Sequence, residues 1–153
     1  MNILVRQAAA SDAVTIADFN AFMAKETEHL VLDRTHLQKG VEAMIADSSK
    51  GLYYIAEFDG KVAGQLMITY EWSDWRNATF WWIQSVYVLP EYRKQGVFRA
   101  LYQRVASLAQ ERGDVCGLRL YVEESNKRAQ QTYEALGMKL SHYRMMDVDF
   151  VLR

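Results

Sequence analysis

The sequence predicts one α/β (α+β) domain over residues 1–153, in which a mixed, mostly antiparallel sheet carries helices on both faces. Half of the 153 residues are hydrophobic and 24% are charged, which suits a single globular core. Segments with strand alternation and segments with helical spacing follow one another in the order β-α-α-β-β-β-α-β-α-β. The pair Asp59-Gly60 separates two β-rich runs, which is a strong hairpin signal.

The first half of the chain predicts a strand, two helices and that hairpin. Ser11 is the predicted N-cap of the first helix, because a serine hydroxyl can accept a hydrogen bond from an amide of the first turn. Apolar residues then recur at helical spacing in both helices. The predicted elements are a strand over 3–7, helices over 13–25 and 34–47 with a connecting loop between them, and strands over 52–58 and 62–72.

The second half predicts a central strand followed by two helix-strand pairs. Residues 80–88 are apolar on both alternating faces, as in a strand covered on each side, and Pro90 ends that strand. Gly113 and Gly137 are typical helix stop signals. The predicted elements are a helix over 97–112, a strand over 118–122, a helix over 125–136 and a final strand over 138–151.

Charge and composition exclude several classes of function. The formal net charge is −1 and the pI is near 6.3, which gives no general attraction for nucleic acid. The single cysteine and three scattered histidines form neither a disulfide framework nor a metal-ligand spacing, so we expect no metal. No run approaches the roughly 20 apolar residues that span a bilayer, so we expect a cytoplasmic protein without membrane contact. Exposed tryptophans and strand edges favour a homodimer.

The stretch VYVLPEYRKQGVFRAL, residues 86–101, has the composition of an anion site. Gly96 stands where the strand pattern changes to a helix pattern, and a glycine there lets backbone amides approach a ligand closely. The positive end of the helix dipole and the neighbouring Arg93, Lys94 and Arg99 all favour a phosphate. An ordinary solvated basic turn remains the alternative for this segment taken alone.

A second segment, NKRAQQTYEALGM at 126–138, completes a recognisable pair. Alone, it would be a capped helix with a core tyrosine. Together, the two segments resemble the motifs of the GNAT superfamily of N-acetyltransferases, Arg/Gln-x-x-Gly-x-Gly/Ala after V-x-P and Asn-x-x-Ala-x-x-x-Tyr-x-x-x-Gly-Phe/Met. The matching residues are Val88, Pro90, Arg93 and Gly96 in the first motif and Asn126, Ala129, Tyr133, Gly137 and Met138 in the second.

This resemblance implies that the chain transfers an acetyl group from acetyl-CoA directly to a primary amine of a small molecule or peptide. The pantetheine arm of the donor would lie between the central strand and the strand at 118–122, and Tyr133 would act as general acid toward the leaving thiolate. The implied contacts to acetyl-CoA come from Val86, Tyr87, Val88, Arg93, Lys94, Gln95, Gly96, Val97, Phe98, Arg99, Asn126 and Tyr133.

The chain departs from the family pattern at Phe98, where a small residue is usual beside the diphosphate. No carboxylate stands on the central strand at Trp82 or Gln84, so Gln84 is expected to orient a water, and Glu28, with Glu71 and Asp74 as alternatives, is a candidate base. Aromatic faces and carboxylates suit a cationic amine, and the predicted acceptor residues are Glu28, Trp72, Asp74 and Trp82. The competing hypothesis is a non-catalytic module that binds acyl-CoA as a sensor or scaffold.

Overall fold

The computed structural model describes residues 1–152, which form five strands, four α-helices and two short 3-10 turns. The chain divides into two compact units, Met1–Tyr121 and Val122–Arg153. The elements of the first unit are β1 (Ile3–Gln7), α1 (Ala13–Glu28), α2 (Arg34–Ala46), β2 (Leu52–Phe58), β3 (Lys61–Ser73), β4 (Ala78–Val88), α3 (Val97–Arg112) and β5 (Val115–Leu120). The second unit contains α4 (Lys127–Ala135). No helix within 1–152 combines the length and the apolar character needed to cross a membrane.

The first unit is built on one five-stranded sheet in the order β1-β2-β3-β4-β5. All neighbours are antiparallel except β4 and β5, which are parallel. The Asp59-Gly60 turn joins β2 to β3, with Asp59 at φ 49° and Gly60 at φ 82°. Both angles are positive, as the tight hairpin turns that match strand twist require. The predicted fold class is confirmed by this mixed sheet and by the helices that pack on it.

Helices cover both faces of the sheet because alternate strand residues are apolar on each side. On one face, α3 packs Val97, Leu101 and Val105 against Trp81 and Ile83 of β4. On the other face, α1 and α2 pack against β2, with a core of Ala13, Ile16, Ala17, Val41, Tyr53 and Ile55. We call the side of the sheet that α3 covers the α3 face, and the side that α1 and α2 cover the α1 face.

The start of α1 differs from the prediction. Ser11 lies in a 3-10 turn, and Asp12 is the residue that precedes the helix. The Asp12 carboxylate accepts hydrogen bonds from Arg6 Nη1 at 2.7 Å, from Arg6 Nη2 at 3.0 Å and from the Ala9 amide at 2.7 Å. This buried carboxylate holds the start of α1 more firmly than a serine cap could, because hydrogen bonds to ionised groups are stronger than those between neutral groups.

The end of α1 also differs, because the helix runs to Glu28 rather than Lys25. The left-handed His29, at φ 54°, ends it by donating its amide to the Ala24 carbonyl. Glu26 and Glu28, expected in a connecting loop, are therefore on the last turn of α1.

The final strand predicted over 138–151 is wrong, since the described residues 138–152 have no strand pairing. Over residues 122–152 the second unit contains one helix and no strand that could accept a partner, and its tail forms local turns instead. In those turns the Asp149 carboxylate accepts from the amides of Val151 and Leu152, each at 2.7 Å. Alternation in a sequence indicates a strand only where a neighbouring strand supplies hydrogen bonds.

Candidate functional site

Strand β4 extends beyond its neighbour at the centre of the first unit. Its parallel pairing with β5 covers Thr79 to Ile83, and the strand then continues to Val88. Within the described part of this unit, residues 84–88 have β3 alongside them and no strand on the β5 side. A strand edge of this kind presents amide and carbonyl groups to an extended ligand.

The same part of β4 contains a β-bulge. Gln65 pairs with Tyr87 and Met67 pairs with Gln84, so two residues of β4, Ser85 and Val86, face one residue of β3. Ser85 is at φ 49°, a left-handed conformation that costs a non-glycine residue roughly 1–2 kcal/mol. Strain of this size persists where the surrounding structure holds it, and such positions cluster at functional sites.

The segment after β4 turns sharply into α3. Pro90 opens a 3-10 turn, and Lys94 at φ 62° and Gly96 at φ 87° are both left-handed. Gly96 is the N-cap, and the first intrahelical bond runs from the Ala100 amide to the Gly96 carbonyl at 3.0 Å. A Cβ placed on Gly96 would meet no atom within 4 Å, so there is open space at the start of the helix. This space, beside a positive helix terminus, fits a phosphate group.

Arg93 is held in a fixed position beside the end of β4. Its Nε donates to the Val88 carbonyl at 2.8 Å, and its Nη2 donates to Glu26 Oε2 at 2.9 Å. Tyr87 donates its hydroxyl to the other oxygen of Glu26 at 2.9 Å, and its ring packs on Phe19 of α1. The last turn of α1 is thereby tied to the strand end and to the arginine of the first motif.

These contacts set the protonation states of Glu26 and Tyr87. The Tyr87 hydrogen bond, followed by the Arg93 guanidinium, lowers the pKa of Glu26, so its carboxylate is ionised at neutral pH. Burial, followed by the hydrogen bond to Glu26, raises the pKa of Tyr87 to about 12. Glu26 is therefore a weak base at this position, although it lies close to the strand end.

The side chain of Phe98 lies along α3, which accounts for a bulky residue at this position. Its ring centroid is 6.2 Å from that of Tyr102, one turn later on the same helix. Aromatic pairs at this spacing on a helix stabilise each other. The departure at Phe98 is thus accommodated by the helix itself.

A polar and aromatic cluster lies on the α1 face of β3, β4 and β5. Glu71 Oε1 accepts from Trp82 Nε1 at 3.0 Å and from Arg119 Nη1 at 2.6 Å. Tyr121 stacks on Trp82 with centroids 4.4 Å apart, and the Arg119 guanidinium lies 3.6 Å from the centre of the Phe80 ring. Carboxylate, cation and aromatic faces together form a surface that can recognise a small charged molecule.

The structure does not bring the predicted acceptor residues of this unit together. Trp82 pairs with Thr69 while Trp72 pairs with Thr79, so the two tryptophans point to opposite faces of the sheet. Asp74 lies in the β3–β4 turn, where its carboxylate accepts from the Trp75 amide at 2.9 Å. Glu28 is exposed at the end of α1. Of the four, only Trp82 belongs to the polar cluster.

Gln84, the predicted water-orienting residue, is on the same face as Trp82. Its Nε2 donates to Thr69 Oγ1 at 2.6 Å, which fixes the amide orientation. An amide held by its nitrogen presents its oxygen as an acceptor, so the geometry suits a residue that holds a water.

The second unit contains two of the predicted residues, Asn126 and Tyr133. Asn126 caps α4, since its Oδ1 accepts from the Ala129 amide at 3.1 Å. The Asn126 amide nitrogen is a separate donor, so capping leaves it available to a ligand. Tyr133 is half-buried, and burial raises its pKa, so the phenol carries its proton at neutral pH. A group that keeps its proton in this way can act as an acid.

Two residues of the site were missed by sequence reasoning. Gln65 is fully buried in β3, and its signal was one polar residue within an apolar run. Arg119 lies between two leucines of β5, where the charge stands out in the same way. A lone polar residue in an otherwise apolar strand marks either a site or a buried network. Within residues 1–152 there is no cluster of three or more histidine, cysteine, aspartate or glutamate side chains that could hold a metal.

Comparisons with family models, curated proteins and solved structures all point to acetyltransferases. Residues 18–138 match the model of the acetyltransferase (GNAT) family. A thialysine N-epsilon-acetyltransferase from Bos taurus is 38% identical over 77 residues, which cover 50% of this chain and 44% of the relative. The match therefore spans less than half of that protein's length.

Solved structures share the fold over nearly the whole chain. The crystal structure of a possible acetyltransferase from Clostridium difficile 630 is 44% identical and superposes with a TM-score of 0.90, covering 99% of this chain and 100% of the other. A predicted acetyltransferase from Clostridium acetobutylicum, solved with acetyl-CoA, is 15% identical with a TM-score of 0.77, covering 98% of this chain and 97% of the other. At that identity the second likeness shows the fold alone.

Proposed function

We propose, from the premise that this chain belongs to the acetyltransferase (GNAT) family, that it transfers an acetyl group from acetyl-CoA directly to a primary amine. One observation carries the proposal. Residues 84–88 of β4, which have no strand on the β5 side, lead through a turn with two left-handed residues into the N-terminus of α3. An extended arm ending in a diphosphate matches this sequence of an open strand edge followed by a helix N-terminus.

The donor would be held mainly by backbone groups. Val86 and Val88 on the open edge would hydrogen-bond the pantetheine arm, and an N–H in this part of β4 would donate to the thioester oxygen as it gains negative charge. Amides of the first turn of α3, with the Arg93 side chain, would hold the diphosphate. The remaining proposed contacts come from Tyr87, Lys94, Gln95, Gly96, Val97, Phe98, Arg99 and Asn126.

Three side chains are proposed for proton transfer. Tyr133 keeps its proton at neutral pH and would give it to the leaving thiolate. Gln84, oriented by Thr69, would hold the water that removes the proton from the amine. Glu28 remains the candidate base that this water, or the amine itself, would reach.

The acceptor we propose is a small cationic amine, which Trp82 and the carboxylate of Glu71 would attract on the α1 face. The name of the bovine relative specifies the ε-amine of thialysine, a small amino acid, and this supports the same class. A carboxylate on such an acceptor would find Arg119 on the same surface.

The experiment is thiol release from acetyl-CoA over a panel of thialysine, lysine, aliphatic diamines and a short peptide. We expect release above background with at least one small diamine or diamino acid, and weaker release with the peptide. Tight CoA binding without thiol release for any amine would instead favour the acyl-CoA-binding module. Tyr133→Phe is the matched control, because it removes one hydroxyl and leaves the ring in place.

A further inference from the structure

A buried amide network connects α1 to the bulge of β4. Gln65 Nε2 donates to Asn20 Oδ1 at 2.8 Å and to the carbonyl of Ser85 at 3.1 Å. Gln65 is 0% exposed and Asn20 is 7% exposed, so the bond between them does not compete with solvent. One side-chain nitrogen thus joins helix α1, strand β3 and the left-handed residue of β4.

The network is not explained by packing alone. Gln65 Oε1 is buried and has no hydrogen-bond partner among the described residues. An unsatisfied buried acceptor destabilises a fold, and a leucine or methionine at this position would avoid it. A glutamine at this position is understandable if its nitrogen performs a task that an apolar side chain cannot.

That task is visible at Ser85. Its φ of 49° is unusual for serine, and the Gln65 donor binds the carbonyl of this residue. The bulge decides which way the neighbouring peptide groups of β4 point, because an extra residue reorients the strand locally. Without the amide, Ser85 can leave its left-handed conformation and turn these groups away.

We propose that Gln65, supported by Asn20, is a positioning residue that holds the Ser85–Val86 bulge so that a backbone N–H of β4 is directed at the acyl group of the donor. The inference rests on the proposed function and goes beyond it, since it assigns a buried residue that contacts neither substrate. Such a residue acts on the transition state, because a misdirected donor loses most of its effect on developing charge.

The main variant is Gln65→Met, which keeps the volume and removes both the donor and the unsatisfied oxygen. We expect kcat to fall about 10- to 100-fold, the effect of a small misplacement of a catalytic group, with the KM for acetyl-CoA nearly unchanged. The melting temperature should stay level or rise. Tyr70→Phe is the matched control: its hydroxyl donates from β3 to the Ser48 carbonyl at 2.9 Å, away from the bulge, and this variant should keep the wild-type kcat.

Gln65→Glu tests the hydrogen bond itself. A buried carboxyl has a raised pKa, and its protonated form can donate to the Ser85 carbonyl whereas the ionised form cannot. The kcat of this variant relative to wild type should therefore rise as pH falls. A flat ratio at a reduced kcat, or a Gln65→Met enzyme with wild-type kcat, overturns the inference.

An NMR measurement separates this inference from the proposed function. Backbone chemical shifts of Ser85 report its left-handed conformation, and they should change in Gln65→Met and not in Tyr70→Phe. If wild type releases no thiol with any amine, the proposed function fails while the Ser85 shifts still decide whether Gln65 holds the bulge. Unchanged Ser85 shifts in Gln65→Met contradict the inference even when catalysis is present.

Discussion

Replacing Gly96 by alanine separates the role of the turn in folding from its role in ligand binding. Gly96 and Gly113 lie at the two ends of α3, both left-handed at φ 87° and φ 72°, and a Cβ at either position meets no atom within 4 Å. The cost of each alanine is then backbone strain alone, roughly 1–2 kcal/mol. For a chain of this size we expect both variants to melt about 2–8 °C lower than wild type.

Only Gly96→Ala should weaken the binding of CoA. The added methyl enters the open space at the helix N-terminus and would displace a diphosphate from at least one charge-assisted hydrogen bond, worth about 1.5–3 kcal/mol. Affinity for CoA measured by titration calorimetry should therefore fall about 10- to 150-fold. Pantetheine, which lacks the diphosphate, should bind both variants as it binds wild type. Equal losses in Gly96→Ala and Gly113→Ala, or an equal loss for pantetheine, would refute the assignment of this turn to the diphosphate.

Three further predictions concern other groups. Tyr133→Phe should lower kcat about 10²-fold, the scale of one general acid, with the KM of both substrates retained, as steady-state kinetics would show. Glu26→Gln should tighten CoA binding up to about 5-fold at low salt, because an exposed pair contributes at most about 1 kcal/mol and its loss leaves Arg93 uncompensated; the gain should vanish at high salt. Asp12→Asn should destabilise the fold by roughly 1–3 kcal/mol through loss of the pair with Arg6. The pKa of Asp12 is lowered in the fold, so that difference is fully present above the ordinary aspartate pKa of about 4. It disappears as pH falls below that value through the lowered pKa of the folded state, which denaturant titrations at stepped pH would show.

Elements whose ends carry their own local signals could be predicted closely. Strands β1 and β2 and helix α3 have the predicted bounds, because Asp59-Gly60 and Gly113 require the left-handed backbone that they adopt. The strand predicted over 118–122 begins three residues later than β5 and ends two residues later, since the apolar pattern continues past Leu120 after the pairing with β4 ends. The residue at which strand pairing ends depends on the neighbouring strand, so the sequence of the strand itself does not indicate it.

Which tryptophan faces the site was beyond prediction for a different reason. The turn between β3 and β4 pairs Ser73 with Ala78, so Trp72 lies opposite Thr79 and Trp82 lies opposite Thr69. A turn longer or shorter by one residue would reverse the faces of one strand, and the sequence DWRN does not specify its length. The Gln65 network could not be predicted either, because its members at positions 20, 65 and 85 are far apart in the sequence and meet only in the fold.

The arrangement of the sheet would give a donor and an acceptor separate approaches, which direct transfer of an acetyl group requires. Under the proposed function, the donor arm lies along the open edge of β4, in the plane of the sheet. The acceptor surface around Trp82 and Glu71 is on the α1 face, perpendicular to that plane. The two directions converge near Gln84 and the bulge at Ser85, where β4 has an open edge and the Gln84 side chain, held by Thr69, lies on the α1 face. An amine that arrives there can attack the acyl group without an enzyme-bound intermediate, and its orientation would be set by the strand.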